Sequence, residues 1–180
     1  MKTFNRKEAG FSLTELMGVL AIIGIIGAMA AGSFIGATIK AQTSEALSVV
    51  RPIQDIIVEL YQKNGTLAGV NTTATGVTGS NSLHDPQSYH GKYVNRVDVV
   101  NGQTQATFSK DAPFGSNANI HGLTLIFHPL VLTAYAAQDS IQWQCAADGV
   151  NMKPSMQVAN GGTAFAAGTL PARYAPAECR

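Results

Sequence analysis

Apolar residues are gathered at one end of the chain. From Leu16 to Ile39 no charged residue occurs, and as a helix rising 1.5 Å per residue this run exceeds the ~30 Å hydrocarbon core of a bilayer. It is apolar on every side, which predicts a helix surrounded by lipid or by other protein. The helical period then continues with one face turned polar. Ala46, Val49, Val50, Ile53, Ile56, Ile57 and Leu60 recur at three- and four-residue spacing, while Glu45, Ser48, Arg51, Gln54, Asp55 and Glu59 fill the other positions. One helix is therefore predicted, apolar first and amphipathic after. A bend is expected near residues 48–52, where Pro52 removes an amide donor, and a stop at Asn64-Gly65.

Residues 65–90 are rich in Gly, Thr, Ser and Asn without periodicity, and read as a surface connection. Period-two segments follow. Lys92-Tyr93-Val94 and Val97–Val100 lead into Asn101-Gly102, the favoured type I′ turn pair, and Thr104–Phe108 alternates on the way out, predicting a hairpin. Leu123–Phe127 and Ile141–Cys145 are further strands, with His128-Pro129 and Gln138-Asp139 marking their ends. From Ala146 to Arg180 the composition is turn-like, with Gly149, Pro154, Gly161-Gly162, Pro171 and Pro176.

The flanks of the apolar run set its direction. Lys2, Arg6 and Lys7 precede it and Lys40 with Glu45 follows, so the positive-inside rule places the N-terminus in the cytoplasm and residues 41–180 outside. A cleaved secretory signal has the same order of basic and apolar regions, and Ala28, Ala30 and Ala31 mimic its cleavage site. The run is too long for that, and Glu15 sits just inside its start, where an unpaired carboxylate is costly. Glu15 either finds a partner or snorkels to the interface. Gly18, Gly24, Gly27, Gly32 and Gly36, with Ala28, Ala30 and Ala31 between them, give the helix small faces on which sister helices can approach closely. A generic lipid-facing span would carry more Leu.

A chain of 180 residues suits one domain with one appendage. Its formal charge of +1 and scattered basic residues lack the stripe of a dedicated nucleic-acid binder. Cys145 and Cys179 both fall in the exported part, where an even count reads as one disulfide closing a loop of roughly 35 residues, the alternative being two unpaired thiols. His84, His90, His121 and His128 have no metal-ligand spacing, and neither a phosphate loop nor a nucleophile elbow occurs. No catalytic residue, metal or cofactor is assigned. Trp143 reads as core packing. Asn64-Gly65-Thr66 and Asn71-Thr72-Thr73 match the glycan acceptor triplet, and glycosylation stays open.

Met1–Gly10 is a short basic leader ending in Gly, and Gly10-Phe11-Ser12-Leu13-Thr14-Glu15-Leu16-Met17 ahead of an apolar helix resembles the prepilin signature of type IV pilins. The resemblance implies that a prepilin peptidase and methyltransferase cuts between Gly10 and Phe11 and methylates the new amine of Phe11. Loss of the leader takes the formal charge from +1 to −1. In a filament of parallel helices, Glu15 of one subunit then meets the Phe11 amine of a neighbour. Gly91-Lys92-Tyr93-Val94, the Asn-Gly hairpin, Ile141–Cys145 and the closing Pro176-Ala177-Glu178-Cys179 resemble the globular half of the type IVa subgroup. That implies an α+β fold: a long N-terminal helix packed on a four-stranded antiparallel sheet with a disulfide-closed loop over residues 145–179. The implied organisation is a cleaved leader over 1–10, an apolar helix over 11–40, its amphipathic half over 41–64 and a globular domain over 65–180. Many type IVa pilins carry a proline in the apolar helix where this chain has Gly32, so Gly24, Gly27 and Gly32 become the candidate points of helix flexibility, each costing about 1 kcal/mol against alanine.

The function implied is that of a major pilin, a subunit that polymerises with itself for adhesion, twitching motility or DNA uptake. It would sit in the inner membrane of a Gram-negative bacterium with its assembly machinery, then on the cell surface. Direct nucleic-acid contact is left open. The loop over residues 146–178 is the candidate receptor-binding face, its alternative being a clasp on the sheet. Two other functions compete. A minor pilin or pseudopilin of a secretion or competence machine shares the N-terminus, and a membrane-anchored enzyme or binding protein that never polymerises leaves Glu15 and the glycines unexplained.

Overall fold

Helix α1 spans Leu13–Asn64 in the computed structural model, which describes residues 10–72, 82–83, 85–111, 115–132, 140–159 and 161–180. The chain divides into two compact units, Met1–Ala37 and Thr38–Arg180. In the second unit the buried face of α1 is the stripe Ile39, Thr43, Ala46, Val50, Ile53, Ile57 and Tyr61, stepping by three or four residues as a core-facing helix must. Ile56, assigned to that face by spacing, lies at its margin and is 38% exposed. The helix is not interrupted at Pro52, whose ring is exposed. It stops as predicted: Gly65 takes φ 68° and its amide donates to the Tyr61 carbonyl at 2.7 Å, the left-handed cap that glycine adopts without steric cost.

Among the described residues seven strands follow: β1 Asn71–Thr72, β2 Ser82–Leu83, β3 Val94–Val100, β4 Gln103–Phe108, β5 Thr124–Leu132, β6 Gln142–Ala146 and β7 Met156–Val158. Strands β3 to β6 form an antiparallel sheet in sequence order, and β7 adds to β5 as a fifth member. The expected count of four strands thus holds for the longer ones. Three residues behind Pro154 are too few to show a period of two, which is why β7 was not anticipated. The hairpin is as predicted, Val100 opposite Gln103, with Asn101 at φ 46° and Gly102 at φ 78°, the pair of positive values a type I′ turn requires. Within the connection over 65–90, β1 and β2 pair in parallel and Pro86–Ser88 forms a 3-10 turn.

His128-Pro129 does not end β5, contrary to expectation. Strand β5 runs on to Leu132, Pro129 pairing with Trp143 of β6. In a strand a residue's N–H and C=O point the same way, and the Pro129 carbonyl accepts from Ala159 at 2.9 Å. The donorless nitrogen therefore faces the gap between the last β4 pair, at Phe127, and the first β7 pair, at Leu130. No ladder bond to β6 is lost, so the usual objection to an interior proline does not apply.

Strand β5 is buried along nearly its whole length, on both faces. Leu125, Phe127 and Val131 join the cluster that includes Ile53 and Ile57 of α1. The alternate residues Thr124, Ile126, His128 and Leu130 are also buried, and they are met by the C-terminal segment. Thr169 and Leu170 donate to the Thr124 carbonyl at 3.1 and 3.0 Å, and Gly168 donates to that of Ala146 at 3.1 Å. A Cβ on Gly168 would stand 2.5 Å from the Thr124 oxygen and 2.8 Å from the Ala146 oxygen. Both are backbone atoms of the sheet and cannot yield. Gly168→Ala is accordingly expected to destabilise the domain by about 2–3 kcal/mol through overpacking, read as a lowered urea midpoint at unchanged slope. An unaltered midpoint would show that the segment lifts off freely.

Candidate functional site

Helix α1 starts with a side-chain cap. The Ser12 carbonyl accepts from the Glu15 and Leu16 amides at 3.1 and 3.2 Å, while the Glu15 carboxylate accepts from the Ser12 amide at 3.0 Å. The Ser12 hydroxyl pairs with that of Thr14 at 2.7 Å, so Ser12-Leu13-Thr14-Glu15 forms only the return half of a capping box, the Glu15 side chain satisfying the otherwise orphaned Ser12 amide. The serine three residues before a glutamate is legible in the sequence, where Glu15 reads only as an intersubunit or interfacial charge. Gly10 and Phe11 precede the helix and are exposed, Phe11 at 92%. Lys2, Arg6, Lys7 and Glu8 lie outside the described residues.

Beyond the cap the helix is apolar and uncovered. The window Leu13–Ala30 has a mean hydropathy of 2.1 and none of it is buried. Leu16, Leu20, Ile23 and Ile26 are each more than half exposed. A side chain of this type gains about 1.5–3 kcal/mol on leaving water, so a surface of this extent is stable only in lipid or against other protein. Around Gly18, Gly24, Gly27 and Gly36 an added Cβ would meet nothing within 4 Å. Gly32 lies within the helix.

Three loops of the second unit are tied to one turn of α1. Gln42 accepts from the Asn117 amide at 3.0 Å, the Thr43 hydroxyl donates to the Tyr174 carbonyl at 2.7 Å, and the Glu45 carboxylate accepts from the Lys92 and Tyr93 amides. The helical period puts Glu45 on the polar face, and nothing in that period reveals which backbone groups the fold brings up to this turn.

Cys145 and Cys179 are joined in a disulfide, so the segment between them is a closed loop. Part of it is the clasp of the alternative considered above: residues 161–170 lie on the sheet through Thr124, Ala146 and His128. Other parts are exposed, including Lys153, Gln157, Arg173 and Glu178.

His128 sits beneath this clasp, fully buried, rather than at a surface strand end. Its Nε2–H donates to the Ala166 carbonyl at 2.7 Å, and the ring stacks on Phe165 with centroids 4.2 Å apart. Desolvation holds the imidazole below its ordinary pKa of 6.5, partly offset by the bond to Ala166, which favours the charged form. The unfolded chain therefore binds a proton that the folded chain refuses, and stability falls as pH drops below about 6.5, with a slope of at most about 1.4 kcal/mol per pH unit. Melting curves at pH 7.5 and 5.5 should differ for the wild type, and the difference should shrink in His128→Gln. An equal acid sensitivity in the variant would assign it elsewhere.

Among the described residues, no group of three or more His, Cys, Asp and Glu side chains is placed to hold a metal ion. His84 lies outside them, and His90 and His121 are exposed. Trp143 is half-buried and packs against the core, as expected.

Comparison with known proteins agrees with both ends of the chain. Residues 5–31 match the prokaryotic N-terminal methylation motif, and residues 39–180 match the pilin family of bacterial filament proteins. The chain is 32% identical to the type IV major pilin protein PilE of Neisseria gonorrhoeae over 98% of its own length and 96% of the relative's. It is 31% identical to a fimbrial protein of Neisseria meningitidis serogroup B, covering 98% of this chain and 96% of that one. It is 30% identical to the fimbrial protein EcpC of Eikenella corrodens, with 78% and 84% covered. With the long helix, the antiparallel sheet and the terminal disulfide in place, these matches establish that the chain belongs to the type IV pilin family.

Proposed function

We propose that the chain is made as a prepilin and serves as the major structural subunit of a type IV pilus, with no enzymatic activity of its own. The observation that carries this is the uncovered apolar helix bearing a single carboxylate near its start. It is long enough to cross a membrane, and it needs sister helices to cover it once it leaves. In this scheme the chain first spans the inner membrane of a Gram-negative bacterium with its basic N-terminus in the cytoplasm. A prepilin peptidase removes residues 1–10 and methylates Phe11, and the inner-membrane assembly machinery then packs residues 11–40 into the core of a surface filament. Glu15 pairs there with the Phe11 amine of a neighbouring subunit. Gly24, Gly27 and Gly32 supply the places where the helix can loosen during extraction, and residues 41–64 carry the globular domain of residues 65–180. The major role rather than a minor one is supported by the name of the gonococcal relative. Adhesion, twitching motility and DNA uptake are the roles open to such a filament, with the exposed parts of the loop over residues 146–178 facing a receptor.

The deciding experiment is the intact mass and N-terminal residue of protein sheared from the surface of cells making it. Abundant chain that begins with methylated Phe11 is expected. A full-length chain from Met1 confined to membranes would overturn the proposal in favour of an anchored, non-polymerising protein.

A further inference from the structure

We infer that the cleft between the second half of α1 and strand β6 binds an acidic sugar, a single pyranose unit carrying a carboxylate. The cleft has a volume of about 200 Å³ and is lined by Arg51 and Gln54 of α1, Trp143 of β6, and Lys153 and Glu178 of the disulfide-closed loop. It is smaller than the ~300–1,000 Å³ sites that enclose drug-sized ligands. At ~30 Å³ per water it displaces roughly seven molecules, the scale of one sugar ring.

The anionic requirement comes from two cations on separate elements. Arg51 and Lys153 are exposed, and among the described residues neither has an ion-pair partner. The Lys153 wall is built in advance. Gln144, buried beside Trp143, accepts from the Lys153 amide at 3.1 Å and donates to the Asn151 carbonyl at 2.8 Å. The amide of a buried side chain thus fixes the stretch from Asn151 to Lys153, which lowers the ordering cost of binding.

The sugar requirement comes from the other groups. Half-buried Trp143 offers an aromatic surface to the C–H face of a pyranose. The Glu178 carboxylate is a hydrogen-bond acceptor, which suits ligand hydroxyls and repels a bare anion such as phosphate. It is held at the cleft by the Cys179 link to Cys145, itself a lining residue. A carboxylate directed to Arg51 and Lys153, with hydroxyls directed to Glu178 and Gln54, uses the polar side chains of the lining other than Gln144, whose amide is already engaged by Asn151 and Lys153. This site does not depend on polymerisation, so its failure and that of the assembly scheme are separable.

Trp143 is the only tryptophan in the chain, and its fluorescence reports the cleft directly. The full chain in detergent micelles would be titrated with glucuronate and N-acetylneuraminate, and at matched ionic strength with galactose, acetate and phosphate. Saturable change with at least one acidic sugar, and not with the other three probes, is expected. Arg51→Gln and Lys153→Gln should each weaken it about fivefold or more, since each removes a charge-assisted contact, while Lys110→Gln, an exposed lysine away from the cleft, should leave it unchanged. Circular dichroism of each variant reports folding. The inference is overturned if neither acidic sugar saturates, if galactose, acetate or phosphate binds as well, or if neither cleft variant weakens binding.

Discussion

Cells making Glu15→Gln should insert and process the chain normally and yield almost no filament. The substitution separates two roles that Glu15→Ala would merge. In the single chain, the carboxylate accepts from the Ser12 amide and caps the helix start. A glutamine side-chain oxygen does the same, since Glu and Gln are both capping-box residues at this position. What glutamine removes is the charge. In the proposed filament core that charge faces the Phe11 amine of a neighbour, and a buried ion stripped of its partner costs about 3–5 kcal/mol. For each subunit added, that weakens association roughly a hundredfold or more.

Glu15→Ala should lose filaments as well, together with about 0.5–1 kcal/mol of helix-start stability from the broken cap. The comparison of sheared yield with membrane-bound, processed chain separates the explanations. Filaments at wild-type yield from Glu15→Gln and none from Glu15→Ala would mean that the cap, and not the charge, is what assembly requires. Normal yield from both would remove Glu15 from the assembly mechanism.

Glu15 also shows what a sequence makes legible. The prepilin-like octapeptide, the uncharged run to Ile39 and the stripe at three- and four-residue spacing all depend on local order. The structure returns the long helix and its buried stripe, and ends the helix at the left-handed Gly65. The Asn101-Gly102 turn was legible for the same reason, its two positive φ values being requirements of adjacent residues. Features that depend on distant chain were not. Strand β5 was cut short at Pro129 because nothing near Pro129 reveals that β4 ends and β7 begins beside it. Residues 161–170 give only turn signals, since they use the sheet carbonyls of Thr124 and Ala146, far back in the chain, in place of their own period. The cations at Arg51 and Lys153 stand about a hundred residues apart, and only folding places them on one cleft.

Replacing both cysteines, as Cys145→Ser with Cys179→Ser, should lower the stability of the globular unit more than any single change outside its core. The bridge spans a sequence separation of 34, and the chain-entropy relation for a loop of that size gives about 4 kcal/mol. For a domain of this length, 1 kcal/mol shifts the midpoint by roughly 2–5 °C, so a fall of roughly 8–20 °C is expected. The effect should not be confined to a frayed tail. The closed loop carries Gly168, Leu170 and Ala166 onto β5 and β6, and its end hands the Cys179 carbonyl to the Ala147 amide at 3.1 Å. Freed from the bridge, this cover has a larger ensemble to populate, and its detachment exposes Ile126, His128 and Leu130 together. Reduced protein should therefore melt in one transition at lower temperature, with amides of β5 and β6 exchanging faster. An unchanged midpoint would show that sheet contacts alone hold the loop. A separate early transition would show instead that the loop is an independent unit and that the outer face of β5 is stable without it.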